Sequence, residues 1–288
     1  MIIPADVPAQ HHELFKKNYT AITRGTDHLF LFTGDQKTEL LNTINPEDFF
    51  VLASEPHIGA FATHMGLITR YGKQFPNINY IAKLNGKTNL VPAAQHDPLS
   101  MCLWDVDHVV SLREDANLPI CGVGYTVYLG SEYESQMLYE AARIVYEAHQ
   151  NGLIAILWMY PRGKAVRDEL DGKLIAGAAG VGASLGADFA KIKAPRATEK
   201  ESVAELLSLA VHSAGNTKIL CAGGEKQEAE NFLKDLHTFL NVSKIAGGAI
   251  GRNIYQQDFK KATLMAHAIE ALIYKKAALE DALEIIRG

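Results

Sequence analysis

Eight short apolar runs recur along the chain, at residues 29 to 34, 58 to 62, 78 to 84, 121 to 128, 153 to 160, 187 to 193, 217 to 222 and 243 to 248. Each reads as a strand, and helical patterning fills the gaps. The clearest helix follows residue 130, where Leu138, Ala141, Ala142, Val145 and Ala148 share one face. Ser131 with Glu134 reads as its capping box and Gly152 as its stop. Thr198 with Glu201 reads as a second capping box, opening a helix over 199–213. An apolar stretch from about 258 to 286 reads as one long C-terminal helix. Strand followed by helix eight times, in 288 residues without a linker, predicts one α/β domain over residues 1–288. The expected architecture is a (β/α)8 barrel with a short N-terminal extension, and an open doubly wound sheet is the alternative.

Composition narrows the classes of partner. With 48% hydrophobic and 21% charged residues the chain can bury a large core. A formal charge of -5 and no long basic stripe exclude nucleic acid as the expected partner, so any anionic substrate needs a local positive pocket. The beginning MIIPADVPAQHHE lacks a basic region followed by an apolar one, and no run of about 18 apolar residues occurs. The expectation is a cytoplasmic protein with no membrane partner. Three widely spaced cysteines, Cys102, Cys121 and Cys221, read as reduced core residues. Eleven scattered histidines show no zinc-ligand spacing, so no metal and no cofactor are expected.

A barrel demands that reactive residues fall at the C-terminal ends of strands. Strand one ends in Gly34-Asp35-Gln36-Lys37, strand three in Lys83-Leu84-Asn85, and strand five in Trp158-Met159-Tyr160-Pro161-Arg162-Gly163. Strand six ends in Lys191 and Lys193, which share one face about 7 Å apart. Two ammonium groups at that spacing repel by about 2 kcal/mol at an effective dielectric of about 20, and burial adds to the strain. One relief is a neutral amine, which is a Schiff-base nucleophile. The other is an amine that reaches out of the strand end to pair with an acid. Spacing alone does not choose between them. Strands seven and eight lead into glycines, Cys221-Ala222-Gly223-Gly224 and Gly247-Gly248 through Gly251-Arg252-Asn253. Such turns let backbone N–H groups approach a phosphate, and Arg252 adds a fork of donors. Each residue also has an ordinary reading: Tyr160 as packing, Trp158 as pocket wall, Asp35 as an N-cap, Arg162 as a loop cation, and Lys83 as a partner of Asp35.

Together these motifs, with Gly124-Tyr125-Thr126-Val127-Tyr128 and Gly186-Ala187-Asp188, resemble the archaeal-type class I fructose-1,6-bisphosphate aldolases, in order over about residues 20 to 275. The resemblance implies an imine on the lysine three residues after the Ala-Asp pair, Lys191, with Tyr160 as the proton-transfer residue. It implies that Asp35 and Trp158 line the reacting carbons and that Gly223, Gly224, Gly251 and Arg252 hold the phosphate beside the ketone. Lys83, Arg162 and Lys193 join the expected substrate contacts, with Lys193 either tuning Lys191 or touching phosphate. Two departures concern the substrate rather than the imine: Gln36-Lys37 replaces a His-Gly of some relatives, and Ala222 replaces a frequent serine. Related barrels make a deoxyheptulosonate precursor of aromatic amino acids or act as thiolases on phosphorylated diones. The Trp-x-Tyr-Pro-Arg-Gly run favours the aldolase.

The function implied is metal-independent cleavage of a phosphorylated sugar, fructose 1,6-bisphosphate, in glycolysis or gluconeogenesis. A phosphosugar isomerase, which forms no borohydride adduct, and a noncatalytic sugar-phosphate-binding protein, which binds without turnover, are the other classes. The resemblance also implies a ring-based homo-oligomer, up to a decamer, to which the C-terminal helix could contribute a contact.

Overall fold

The computed structural model describes residues 1–35, 44–88, 90 and 97–288. Eight strands form a closed ring in sequence order, every neighbour parallel, with β8 pairing back onto β1. They are β1 Leu29–Thr33, β2 Ala60–His64, β3 Tyr80–Lys83, β4 Ile120–Leu129, β5 Ile154–Pro161, β6 Phe189–Ile192, β7 Lys218–Ala222 and β8 Gly247–Ile250. Helices connect them on the outside, so the fold is the (β/α)8 barrel that the eightfold recurrence predicts.

Alternation along the strands builds two cores. Leu29, Leu31, Ile154, Ile156, Phe189 and Leu220 fill the barrel interior, while Phe30, Phe32, Leu157, Ala190 and Ile192 face the helices. The N-terminal extension is a helix, His12–Thr23, whose Phe15, Tyr19 and Ile22 close the bottom of the barrel. Tyr19 stacks on Phe189 at 5.7 Å. An apolar floor thus lies beneath a mouth formed by the C-terminal strand ends.

Four local expectations are corrected. The helix after β4 runs Glu134–Gln150, and Ser131 does not cap it: its hydroxyl donates to the Pro98 carbonyl at 2.7 Å. The helix after β6 is Val203–Ala214, capped by Ser202 and Glu205, with Thr198 accepting from Glu201 N one turn earlier. Both pairs share the same spelling, and the one adjoining buried Ala204, Leu206 and Leu207 opens the helix. β8 begins four residues later than expected because Phe239–Ser243 form a π-helical turn, which Ser243 ties to the Ala204 carbonyl. The C-terminal helix is two, Phe259–Tyr274 and Leu279–Arg287, separated where Lys276 takes a left-handed φ of 54°. Tyr274 stops the first by donating to Ile22 O and accepting from Phe30 N.

Closure depends on Gly247, whose φ is 139° and whose added Cβ would lie 2.1 Å from the Leu29 carbonyl oxygen. Gly247→Ala is expected to lose about 3 kcal/mol or more. Gly177→Ala, in the exposed face of helix Gly172–Ser184 with no atom within 4 Å of the new Cβ, gains about 0.5–1 kcal/mol. Urea midpoints of the two variants against the wild type check both signs.

Candidate active site

At the mouth of the barrel a cavity of about 590 Å³ is lined by Asp35, Trp158, Tyr160, Arg162, Lys191, Lys193, Gly223, Gly224, Gly251 and Arg252, among others. Ten of the eleven expected site residues therefore converge, from the ends of β1, β5, β6, β7 and β8. Lys83, the eleventh, is fully buried. Its amine donates to Asn85 O, Asn85 Oδ1 and Thr126 Oγ1 at 3.1, 3.0 and 2.7 Å. Three acceptors for three N–H groups hold Lys83 in place, which suits a fixed charge behind the site better than a contact with substrate. Gln36 and Lys37 lie outside the described residues.

Trp158 organises the centre. Gly124 on β4 makes room for its indole, since a Cβ there would lie 2.5 Å from the ring. The Lys83 and Lys191 amines lie 5.1 and 5.2 Å from the ring centroid. Each cation gains from the π face, and the ring walls the Lys191 amine with apolar surface. Lys191, only 5% exposed, points into the cavity from the same face of β6 as Phe189 below it.

Lys193 takes the other course open to the pair. Its amine bonds Glu169, which also receives Arg162 Nε at 2.9 Å and Nη2 at 3.1 Å. Burial pushes the Glu169 carboxyl up, but these two cations outweigh it and hold it below its ordinary value. The charge of Lys193 is thereby countered before it reaches Lys191. Tyr160 lies between these groups, 5.9 Å from both Arg162 and Lys193 measured to its ring.

The opposite wall carries the two glycine turns and Arg252. Gly251 permits close packing, because a Cβ would lie 2.7 Å from the Thr33 carbonyl, and Gly224 has a φ of 67°. Asn253 staples the two turns, donating to Gly223 O at 2.7 Å and Glu225 O at 3.2 Å and accepting from Gln227 N. Arg252 stands beside them with its Nε buried and, among the described residues, without a hydrogen-bond partner. Asp35 Oδ1 and Trp158 Nε1 are likewise buried without partners among the described residues, as groups awaiting a polar ligand are.

Two residues escape sequence reasoning. His64 ends β2 beside Lys83 in register, one strand end that the apolar run 58 to 62 stops short of. Burial and the Lys83 charge push its imidazole down to about 4, with Asp35 opposing, so the ring is neutral at neutral pH. Glu169 lies in the loop after β5, where no periodicity links an acid to Arg162. Asp188 of the Ala-Asp pair proves to be a strand anchor: its Oδ2 accepts from Ala155 N at 2.8 Å and bonds His149 Nε2 at 3.2 Å.

His57, His267 and Glu270 bring three metal-type ligand atoms together on the outside of the barrel: His267 and Glu270 lie three residues apart on helix Phe259–Tyr274, and tertiary packing adds His57. The Glu270 carboxylate already holds Arg24 at 2.7 Å, Lys275 at 2.9 Å and His57 at 2.9 Å. Its negative charge is answered, and the trio is a poor cation site.

The chain is similar to known proteins over nearly its whole length. The DeoC/LacD family aldolase model matches residues 20–257. The chain belongs to that family. A Methanocaldococcus jannaschii protein named fructose-bisphosphate aldolase/6-deoxy-5-ketofructose 1-phosphate synthase is 47% identical over 297 residues, covering 99% of this chain and 94% of its own. The solved fructose-bisphosphate aldolase from Slackia heliotrinireducens superposes with a TM-score of 0.96 at 43% identity, covering 100% of this chain and 94% of its own. An archaeal fructose-1,6-bisphosphate aldolase, solved with its catalytic Lys covalently bound to the carbinolamine intermediate, gives 0.76 at 28% identity, covering 90% and 99%.

In this aldolase the start of β6 is pinned by a titrating group. Burial pushes the His149 imidazolium down, but the carboxylates of Asp188 and Asp6 outweigh it and raise the ring above its ordinary value. A raised pKa stabilises the fold fully below the unfolded value of about 6.5 and loses that contribution as pH rises through the folded one. The stability difference between wild type and His149→Gln is therefore expected to be greatest at about pH 5.5 and to shrink toward about pH 8.5, read by urea unfolding at each pH.

Proposed function

We propose that this protein is a class I aldolase that cleaves fructose 1,6-bisphosphate reversibly to dihydroxyacetone phosphate and glyceraldehyde 3-phosphate. The observation that carries the reading is the Lys191 amine, 5% exposed against Trp158 in a cavity that also holds Tyr160, Asp35 and the glycine–arginine anion site. Phosphate beside the ketone is held by Arg252 and the turns at Gly223, Gly224 and Gly251, which brings C2 over Lys191. The neutral amine adds to the C2 carbonyl, and loss of water from the carbinolamine leaves a protonated imine. Tyr160, acting as base, takes the C4 hydroxyl proton as the C3–C4 bond breaks. The electron pair moves into the imine, glyceraldehyde 3-phosphate departs, and an enamine remains. Tyr160 donates its hydroxyl proton to C3 of the enamine, and water then hydrolyses the imine to release dihydroxyacetone phosphate and the free amine. Asp35 orients the hydroxyls and moves protons between the imine intermediates. The imine is the electron sink, so the cleavage has no step that calls for a metal.

A second activity, formation of a 6-deoxy-5-ketofructose 1-phosphate, is favoured by the double name of the Methanocaldococcus relative, at 47% identity over nearly the whole chain. A 6-deoxy-5-ketofructose 1-phosphate has one phosphate, which the Arg252 site would bind as it binds that of the bisphosphate. Among the described residues no helix is long and apolar enough to cross a membrane. Charged sugar phosphates are retained by membranes, and we place the protein with them in the cytoplasm, at work in glycolysis or gluconeogenesis. A ring-based homo-oligomer is supported by Tyr139 and Tyr146, two turns apart on one helix and 71% and 55% exposed. Sedimentation of the intact protein tests the assembly.

Borohydride added with fructose 1,6-bisphosphate is expected to inactivate the enzyme and to label the peptide carrying Lys191. Lys191→Met loses both label and turnover. Tyr160→Phe still traps the imine while kcat falls about 10²- to 10⁴-fold. EDTA leaves the wild-type rate unchanged. A label on another lysine, or cleavage surviving Lys191→Met, overturns the reading.

A further inference from the structure

The two sides of the cavity differ in how far their positive charge is already answered. Arg252 follows β8, and its one ion pair among the described residues is a loose 3.9 Å contact with Glu225, whose side chain is 92% exposed. Arg162 follows β5, which places it across the mouth, with the lysines of β6 between the two arginines. On that side Glu169 accepts Arg162 side-on through both carboxylate oxygens and takes Lys193 as well. This is the geometry with which an arginine and a lysine would grip a phosphate, filled from within the chain. Two cations and one carboxylate leave a single net positive charge to meet a phosphate dianion. The ion pairs also sit at the wall itself, since Arg162, Lys193 and Leu170, the residue after Glu169, all line the cavity.

We propose that Glu169 sets substrate specificity by acting through Arg162 and Lys193, weakening the Arg162 side as a phosphate subsite so that ketose 1-phosphates are accepted beside the bisphosphate. The inference rests on the aldolase reading above. Glu169 is a positioning residue in this scheme: it fixes the guanidinium and the amine and subtracts one charge from what the substrate's second phosphate experiences. A sugar with no phosphate at that end forfeits little, whereas a bisphosphate must share the cations with an internal carboxylate.

The test is the ratio of kcat/KM for fructose 1,6-bisphosphate to that for fructose 1-phosphate, measured in the full-length protein. In Glu169→Gln, which keeps shape and removes charge, the ratio is expected to rise about tenfold, carried by KM for the bisphosphate. Lys193→Met removes a positive charge and lowers the ratio. The double variant Glu169→Gln/Lys193→Met has the wild-type net charge and returns the ratio to within about threefold of wild type. A merely structural role for Glu169 would not give this compensation. An unchanged or lowered ratio in Glu169→Gln overturns the proposal, as does a double variant that fails to compensate. If Glu169→Gln does not fold, Lys193→Met alone decides, and an unlowered ratio there refutes it. A wild-type protein that cleaves neither sugar refutes the aldolase reading and this inference with it. Cleavage of both sugars with a ratio indifferent to Glu169 refutes the inference alone.

Discussion

Closing a parallel sheet into a ring turns every second side chain of every strand toward a common axis, and the chemistry of this protein follows from that alternation. On β6 the inward positions are Phe189 and Lys191. The first stacks on Tyr19 of the N-terminal helix and the second reaches the mouth beside Trp158. One strand therefore spans from an apolar floor to an amine at the cavity in two residues. The same rule places Trp158 above Ile156 and Ile154 on β5. The floor keeps water from reaching the amine from below, and the strand ends supply polar groups only from above.

Within that frame the charges are sorted by their partners. Lys83 is held by three neutral acceptors, Lys193 by Glu169, and Asp188 by His149 and the Ala155 amide. Lys191 faces an indole and an open cavity. Burial that would be destabilising for a structural lysine becomes useful when the neutral form is the reagent. His64, held neutral by burial and by the Lys83 charge against the opposing pull of Asp35, adds a polar ring at the end of β2 without adding to its charge.

Much of this was legible in the chain. The eight runs are visible because strands covered on both faces are continuously apolar, and the glycines after β7 and β8 mark where backbone must approach closely. Boundaries were less legible for specific reasons. Thr198 and Ser202 both precede a glutamate by three residues, and only packing of Leu206 and Leu207 selects between them. The break at Lys276 has no glycine or proline to announce it, and it follows from the anchoring of Tyr274 against β1. His64 and Glu169 carried no signal, since one lies just past an apolar run and the other in an aperiodic loop.

The sequence by itself determined the order of strands and helices, the common face of Lys191 and Lys193, and the glycine turns with Arg252, because each is a local periodicity or a local backbone requirement. It left the two lysines indistinguishable on physical grounds. Only the tertiary structure set Glu169 against Lys193 and Trp158 against Lys191, because those partners come from other segments of the chain and meet only where ring closure brings their strand ends together.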